Sequence, residues 1–159
     1  VVIEIGTQRG TSALFFASLV APYGGLVITL DIKLPPDSIL EEFKKTGVLF
    51  VHGDATTPDI ARQVKALVAG RKCLVIDDGS HRRSDVLNAF SHYKECVPLG
   101  GYFVIEDGMT NWILHNRDFD ALGAVDEVIR THVVSWKRCE EYDNFLFFSM
   151  YQGILQKIQ

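Results

Sequence analysis

The sequence predicts an α/β domain: a doubly wound, seven-stranded, mostly parallel sheet with an antiparallel last strand and helices on both faces. Three observations predict it. Short β-rich runs alternate with helical apolar periods along the chain, as successive βαβ units require. The first five β-like runs are unbroken apolar stretches, the pattern of strands covered on both faces. The last two are joined only by the polar segment from Lys137 to Asn144, too short for a crossover helix, so they should pair antiparallel.

Each element has its own signal. Val1 to Ile5 reads as a strand, and Thr11 to Val20 as a helix opened by Thr11 and Ser12. Leu26 to Leu30 is a strand ending at Asp31. Ser38 to Lys45 is a short helix with Ile39, Leu40 and Phe43 on one face, and Val48 to Val51 a third strand. A helix starts near Pro58, which suits a first turn, and carries Ile60, Val64, Leu67 and Val68 at helical spacing. Cys73 to Ile76 is a strand with Asp77 and Asp78 at its carboxyl end. The helix after it carries Val86, Phe90, Tyr93 and Val97, and stops at Pro98 and Gly100-Gly101. Tyr102 to Ile105 is a fifth strand running into Glu106-Asp107-Gly108. An irregular stretch with Trp112 precedes a helix from about Phe119 to Arg130. Two β-like runs close the chain, His132 to Trp136 and Phe145 to Tyr151.

The 159 residues are 47% apolar with a net charge of −4, which fits one domain over 1–159 and excludes disorder. The acidic balance gives no field to gather nucleic acid or anionic lipid. No run approaches the roughly 18 apolar residues of a membrane span, and no export signal is present. The cysteines Cys73, Cys96 and Cys139 are odd in number and lack metal-ligand spacing; they read as reduced thiols of a cytoplasmic protein. Because Val1 opens directly into a strand, an N-terminal segment is expected to precede it. Self-association is left open.

In doubly wound sheets, ligands lie beyond the carboxyl ends of the strands. Here those ends carry Glu4, Asp31, Asp54, Asp77-Asp78 and Glu106-Asp107, acids that the topology sends to one cleft. The first turn, Glu4-Ile5-Gly6-Thr7-Gln8-Arg9-Gly10-Thr11-Ser12, offers a tight turn at Gly6, a close backbone approach at Gly10 and a helix N-terminus at Thr11 and Ser12. It is not a dinucleotide fingerprint, because Gln8 and Arg9 stand in the interior and Glu4 opposes a pyrophosphate. A ligand with one carboxylate and cationic groups, the charge layout of S-adenosylmethionine, suits it better; a turn that only joins strand to helix is the plain alternative. Asp31 can accept both ribose hydroxyls or be an ordinary exposed acid, and His52-Gly53-Asp54-Ala55 can face the adenine or be simple turn chemistry.

The four carboxylates of Asp77, Asp78, Glu106 and Asp107 would repel one another unless neutralised. A hard divalent cation, Mg²⁺ or Mn²⁺, resolves the conflict with all-oxygen ligation; an acidic rim paired with Arg82, Arg83 or Arg117 is the alternative. His81 lies one tight turn beyond Asp78 and can take a proton from an alcohol.

The turn from Glu4 to Ser12, Asp31, the Asp78/His81 turn and Glu106-Asp107 resemble the metal-dependent class I O-methyltransferases, whose Rossmann-like fold has this strand arrangement. IDDGSH, followed by a helix and GGYFVIEDG, is similar over residues 72–108 to the macrolide-sugar O-methyltransferases (macrocin and mycinamicin type) and their cephalosporin hydroxylase-like relatives. The resemblance implies S-adenosylmethionine and Mg²⁺ (or Mn²⁺) as cofactors. Glu4, Gly6, Thr7, Gly10, Thr11, Ser12, Asp31 and Asp54 fall on the cofactor side. It makes Asp78, Glu106 and Asp107 metal ligands and His81 the general base; Asp77, with no ligand counterpart, joins the cofactor-side residues in a supporting role. Catechol-type enzymes share the ligand spacing but carry a lysine where this chain has His81, which favours a sugar or other aliphatic hydroxyl as small-molecule acceptor. Trp112 could border that acceptor or pack in the core. A cofactor-binding accessory protein without turnover is a second implication of the cephalosporin-type relatives. A nucleic-acid methyltransferase is disfavoured, since Asp77-Asp78-Gly79-Ser80 stands where the Pro-Pro-aromatic turn of such enzymes belongs.

Overall fold

The computed structural model describes residues 1–108, 118–142 and 152–159. Its elements are β1 (Val2–Ile5), α1 (Thr11–Val20), β2 (Val27–Asp31), α2 (Asp37–Thr46), β3 (Leu49–His52), α3 (Pro58–Val68), β4 (Leu74–Asp77), α4 (Arg83–Tyr93), β5 (Tyr102–Ile105), α5 (Ala121–Thr131), β6 (Trp136–Arg138) and β7 (Ile154–Lys157). Among the described residues the sheet runs β3-β2-β1-β4-β5-β7-β6. β1 to β5 are parallel, and β7 pairs antiparallel with both β5 and β6. The strand order reverses direction at β1, between β2 and β4, so their carboxyl ends open a crevice there.

Strand alternation sends side chains to two apolar layers. One face buries Ile3, Ile28, Val75 and Phe103 beneath α3, α4 and α5; the other buries Val2, Val27, Ile76 and Val104 beneath α1 and α2. The amphipathic stripe of α2 seats Phe43, with Ile39 and Leu40 beside it. Asp120 caps α5, its carboxylate accepting from the Gly123 amide at 3.1 Å.

Two expectations are corrected at element ends, and a third falls outside the described residues. The helix does not reach Val97: α4 stops at Tyr93, a 3₁₀ turn follows over Lys94–Cys96, and Val97 is extended at φ −81, ψ 123. Val97 precedes Pro98, whose ring excludes the helical conformation from the residue before it. His132 to Ser135 is a turn, not a strand; the His132 carbonyl accepts from the amides of Ser135 (2.8 Å) and Trp136 (2.9 Å), and pairing starts at Trp136. Val133 and Val134 suggested β structure by their branching, yet both point to solvent. The final strand is Ile154–Lys157, with Leu155 wholly buried, while the aromatic run taken for it, 145–151, lies outside the described residues.

Candidate active site

Beyond the carboxyl ends of β1 to β5 lies a cavity of about 550 Å³, within the ordinary range for small-molecule sites. Every one of those strand ends contributes to its lining: Gly6 and Gln8, Asp31, Asp54, Asp77 to His81, and Asp107.

The β1 turn is built around contact with β4. The Gly6 amide donates to the Leu30 carbonyl at 2.9 Å and the Asp78 amide to the Ile5 carbonyl at 2.9 Å, so the two loops leave the sheet together. Gly6 has φ +97, and a Cβ there would sit 2.1 Å from the Asp78 carbonyl oxygen. Glycine is required on both counts. Gly10 serves another purpose than the expected approach to a ligand: a Cβ would meet Ile39 and Phe43, so its bareness lets α1 pack on α2. Thr7, Thr11 and Ser12 also stay out of the cavity lining. The Thr7 hydroxyl is buried against the Thr29 hydroxyl at 2.7 Å, and Ser12 lies close enough to Glu4 to favour its charged form.

Glu4 is 2% exposed and lies beneath the cavity floor, accepting from Thr29 Oγ1 at 2.5 Å. Burial pushes its carboxyl above the usual range, and Asp78 adds to the shift. Asp31 is oriented by two amides, Gln8 to Oδ2 and Lys33 to Oδ1, both at 2.9 Å. Asp54 is held by the Thr56 amide (2.8 Å) and hydroxyl (2.7 Å). Asp77 is 4% exposed; its Oδ1 accepts from the Gly79 amide at 3.3 Å, and its Oδ2 is buried without a hydrogen-bond partner. Desolvation lifts the Asp77 carboxyl to about 7.

Asp78, His81 and Asp107 converge, each offering a ligand atom within 4.8 Å of the others. His81 Nε2 stands 3.8 Å from Asp78 Oδ1 and 3.5 Å from Asp107 Oδ2, longer than a hydrogen bond, so the imidazole faces both acids without being tied to either. His81 and Asp107 both have φ 56, and Gln8 φ 46. Left-handed backbone in non-glycine residues costs energy and gathers at sites that need a fixed geometry. The His81 loop is anchored from behind, its carbonyl accepting from the Asp120 amide at 3.0 Å. Glu106 falls outside that three-residue group. It belongs to the same acidic patch nonetheless: burial first, then Asp78, Asp107 and Glu4, push its carboxyl up to about 7. Asp78 is likewise raised, by burial and by Asp107 against the opposing pull of His81.

Arg83 does not neutralise these acids; it bridges Asp120 (3.2 Å) and Glu127 (2.7 Å), joining α4 to α5. Arg117 and Trp112 lie outside the described residues. A group of partly exposed carboxylates, crowded together and sharing a mouth with an imidazole, fits a hard divalent cation. Sequence reasoning left Arg9, Ile32 and Leu34 unassigned. All three line the cavity, and Ile32 and Leu34 give its rim an exposed apolar edge. The alternation in Asp31-Ile32-Lys33-Leu34, past the end of a strand, was the available signal.

None of the described helices is long and apolar enough to cross a membrane. The family model for rhamnosyl O-methyltransferase/CmcI matches residues 1–158. A rhamnosyl O-methyltransferase of Mycobacterium leprae is 30% identical over 112 residues, covering 69% of this chain and 49% of that protein. One from Mycobacterium tuberculosis (strain ATCC 25618 / H37Rv) is 33% identical over 117 residues, covering 69% and 46%. The chain thus spans about half the length of these curated relatives. Among solved structures, CmcI with Mg and SAM aligns with TM-score 0.69 at 20% identity, over 99% of this chain and 64% of that one. MycE, the mycinamycin-pathway methyltransferase in complex with Mg, SAH and mycinamycin VI, aligns with TM-score 0.67 at 19% identity, over 99% and 44%. These two share the fold. With the family model covering nearly its whole length, the chain belongs to the rhamnosyl O-methyltransferase/CmcI family.

Proposed function

We propose that residues 1–159 form the cofactor-binding domain of a cytoplasmic O-methyltransferase that moves the methyl group of S-adenosylmethionine to a hydroxyl of a sugar or similar small acceptor, with Mg²⁺ (or Mn²⁺). The observation that carries the reading is the convergence of Asp78, His81 and Asp107 at the mouth of the cavity. Family membership supports it, and the relatives named rhamnosyl O-methyltransferase make a rhamnoside the first acceptor to test.

On this reading Asp31 would hold the cofactor's ribose hydroxyls, Asp54 and Ala55 would line the adenine site, and the turn at Gly6 and the buried acceptor Asp77 Oδ2 would serve its remaining polar groups. When bound, S-adenosylmethionine supplies an electrophilic methyl group on a sulfonium. Asp78 and Asp107, with Glu106 from the same patch, hold the cation, which when bound supplies the Lewis acidity that lowers the hydroxyl pKa. His81 Nε2 takes the hydroxyl proton, and Asp78 and Asp107 stabilise the imidazolium that results. The strained but anchored His81 and Asp107 loops fix proton acceptor and metal ligands relative to the cofactor, and such positioning is a large part of a bimolecular rate.

The test is transfer of labelled methyl to a panel of rhamnosides and other deoxysugar glycosides, with Mg²⁺ and with excess chelator. Transfer is expected with the cation, lost on chelation and restored by adding Mg²⁺ back. Unchanged turnover in chelator removes the metal role. Tight cofactor binding with no acceptor methylated points to an accessory protein.

A further inference from the structure

At the amino ends of the strands, away from the cavity, the fold brings Cys73 and Cys96 together. Cys73 precedes β4 and Cys96 ends the 3₁₀ turn after α4, and the Cys73 amide donates to the Cys96 carbonyl at 3.1 Å. That bond sets the two residues side by side, and a disulfide tolerates Cα separations of about 4.4–6.8 Å. The Cys73 thiol reaches the Arg71 carbonyl at 3.4 Å, and the two thiols are near enough to influence each other's ionisation. Their exposure is unequal. Cys73 is buried, whereas Cys96 is half-buried and lines a second cavity of about 340 Å³ together with Lys65, Arg71 and Lys72.

We propose that Cys96 and Cys73 form a redox-reactive dithiol, in which Cys96 attacks a small anionic disulfide of the oxidised-glutathione type and Cys73 resolves the adduct. Lys65, Arg71 and Lys72 outnumber the one acid of the lining, Glu95, a balance that suits the carboxylates of such a reagent, and Cys96 is a half-buried residue of the same lining. Contact with Cys73, then Lys65 and Lys157, hold the Cys96 thiol below the usual thiol value against burial and Glu95, while the same contact and burial push Cys73 up, which supports Cys96 as the attacking thiol. In the first step the Cys96 thiolate bonds to one sulfur of the reagent and breaks its S–S bond. One glutathione leaves as thiolate and takes up the proton given up by Cys96. In the second, Cys73 loses its proton and attacks the Cys96 sulfur. The second glutathione leaves with that proton, and a Cys73–Cys96 disulfide remains. Two protein thiols are oxidised and one small disulfide is reduced to two thiols. Cys139, fully buried elsewhere in the fold, is the internal control.

The experiment treats the folded protein with oxidised glutathione and follows it by intact mass and peptide mapping. The wild type is expected to form a Cys73–Cys96 linked peptide and leave Cys139 unmodified. Cys73→Ala should stop at a glutathione adduct on Cys96, and Cys96→Ser should acquire neither adduct nor cross-link. Absence of the cross-link in folded wild type, or an adduct on Cys73 or Cys139 with Cys96 untouched, overturns the proposal. The thermal midpoint of each variant is read first; if Cys73→Ala fails to fold, the wild-type map decides. Neither outcome bears on methyl transfer.

Discussion

His81 sits at φ 56, a conformation an ordinary residue avoids, with its ring turned toward two carboxylates at 3.5 and 3.8 Å. If its imidazole accepts the acceptor's proton, His81→Ala should lower methyl transfer by about 10²–10⁴-fold while leaving S-adenosylmethionine affinity, read by calorimetry, unchanged. Glu4 makes a different residue-scale prediction. Burial raises its folded pKa above the ordinary 4.5, so the folded chain holds that proton more tightly than the unfolded one. The penalty is absent below the ordinary value, grows as pH rises through the interval, and is complete above the raised value. Glu4→Gln keeps an acceptor for Thr29 and removes the charge. Its melting temperature in chelator should match wild type near pH 4 and exceed it once the pH has risen through the interval above 4.5; equal midpoints at acid and neutral pH would show that Glu4 carries no buried-charge cost. The acids could be picked from the sequence because each ends a strand. Their burial could not: Asp77 and Glu106 are pushed up to about 7 first by desolvation, which depends on what packs around them.

Among the elements, the β1 turn and the β4 turn are one unit. Gly6→Ala would combine a strained φ with a Cβ pressed on the Asp78 carbonyl, and should cost about 2–4 kcal/mol by denaturant unfolding. Because that carbonyl belongs to a proposed ligand, metal affinity should fall with stability. Helices with a clear apolar stripe and a boundary residue, such as α2 and α3, were legible to within a residue or two. The errors fall where a neighbour outweighs propensity: Pro98 ends α4 early, and the turn after α5 sends Val133 and Val134 outward. Gly10 was legible as a necessary glycine but not for its reason, since Phe43, its neighbour in space, is distant in sequence.

At the scale of the whole molecule, two apolar layers hold the sheet that aligns the strand ends. Phe90 on α4 joins that sheet to its last strands, its ring 5.2 Å from Phe103 and 5.1 Å from Trp136. Phe90→Ala should therefore destabilise the fold by about 3–5 kcal/mol, read as a lower denaturant midpoint with an unchanged slope. The sequence by itself determined the alternation of strands and helices, the parallel core of the sheet with its antiparallel end, and the set of acids at strand ends. Those follow from apolar periodicity and connection length, which are local quantities. The tertiary structure alone decided which acids meet, that His81 rather than Glu106 stands in the tight group with Asp78 and Asp107, and that Cys73 and Cys96 touch. Side-chain direction beyond a strand end depends on turns held from other parts of the chain, here by Ile5, Asp120 and the Gly6 wedge, and no local pattern encodes that support.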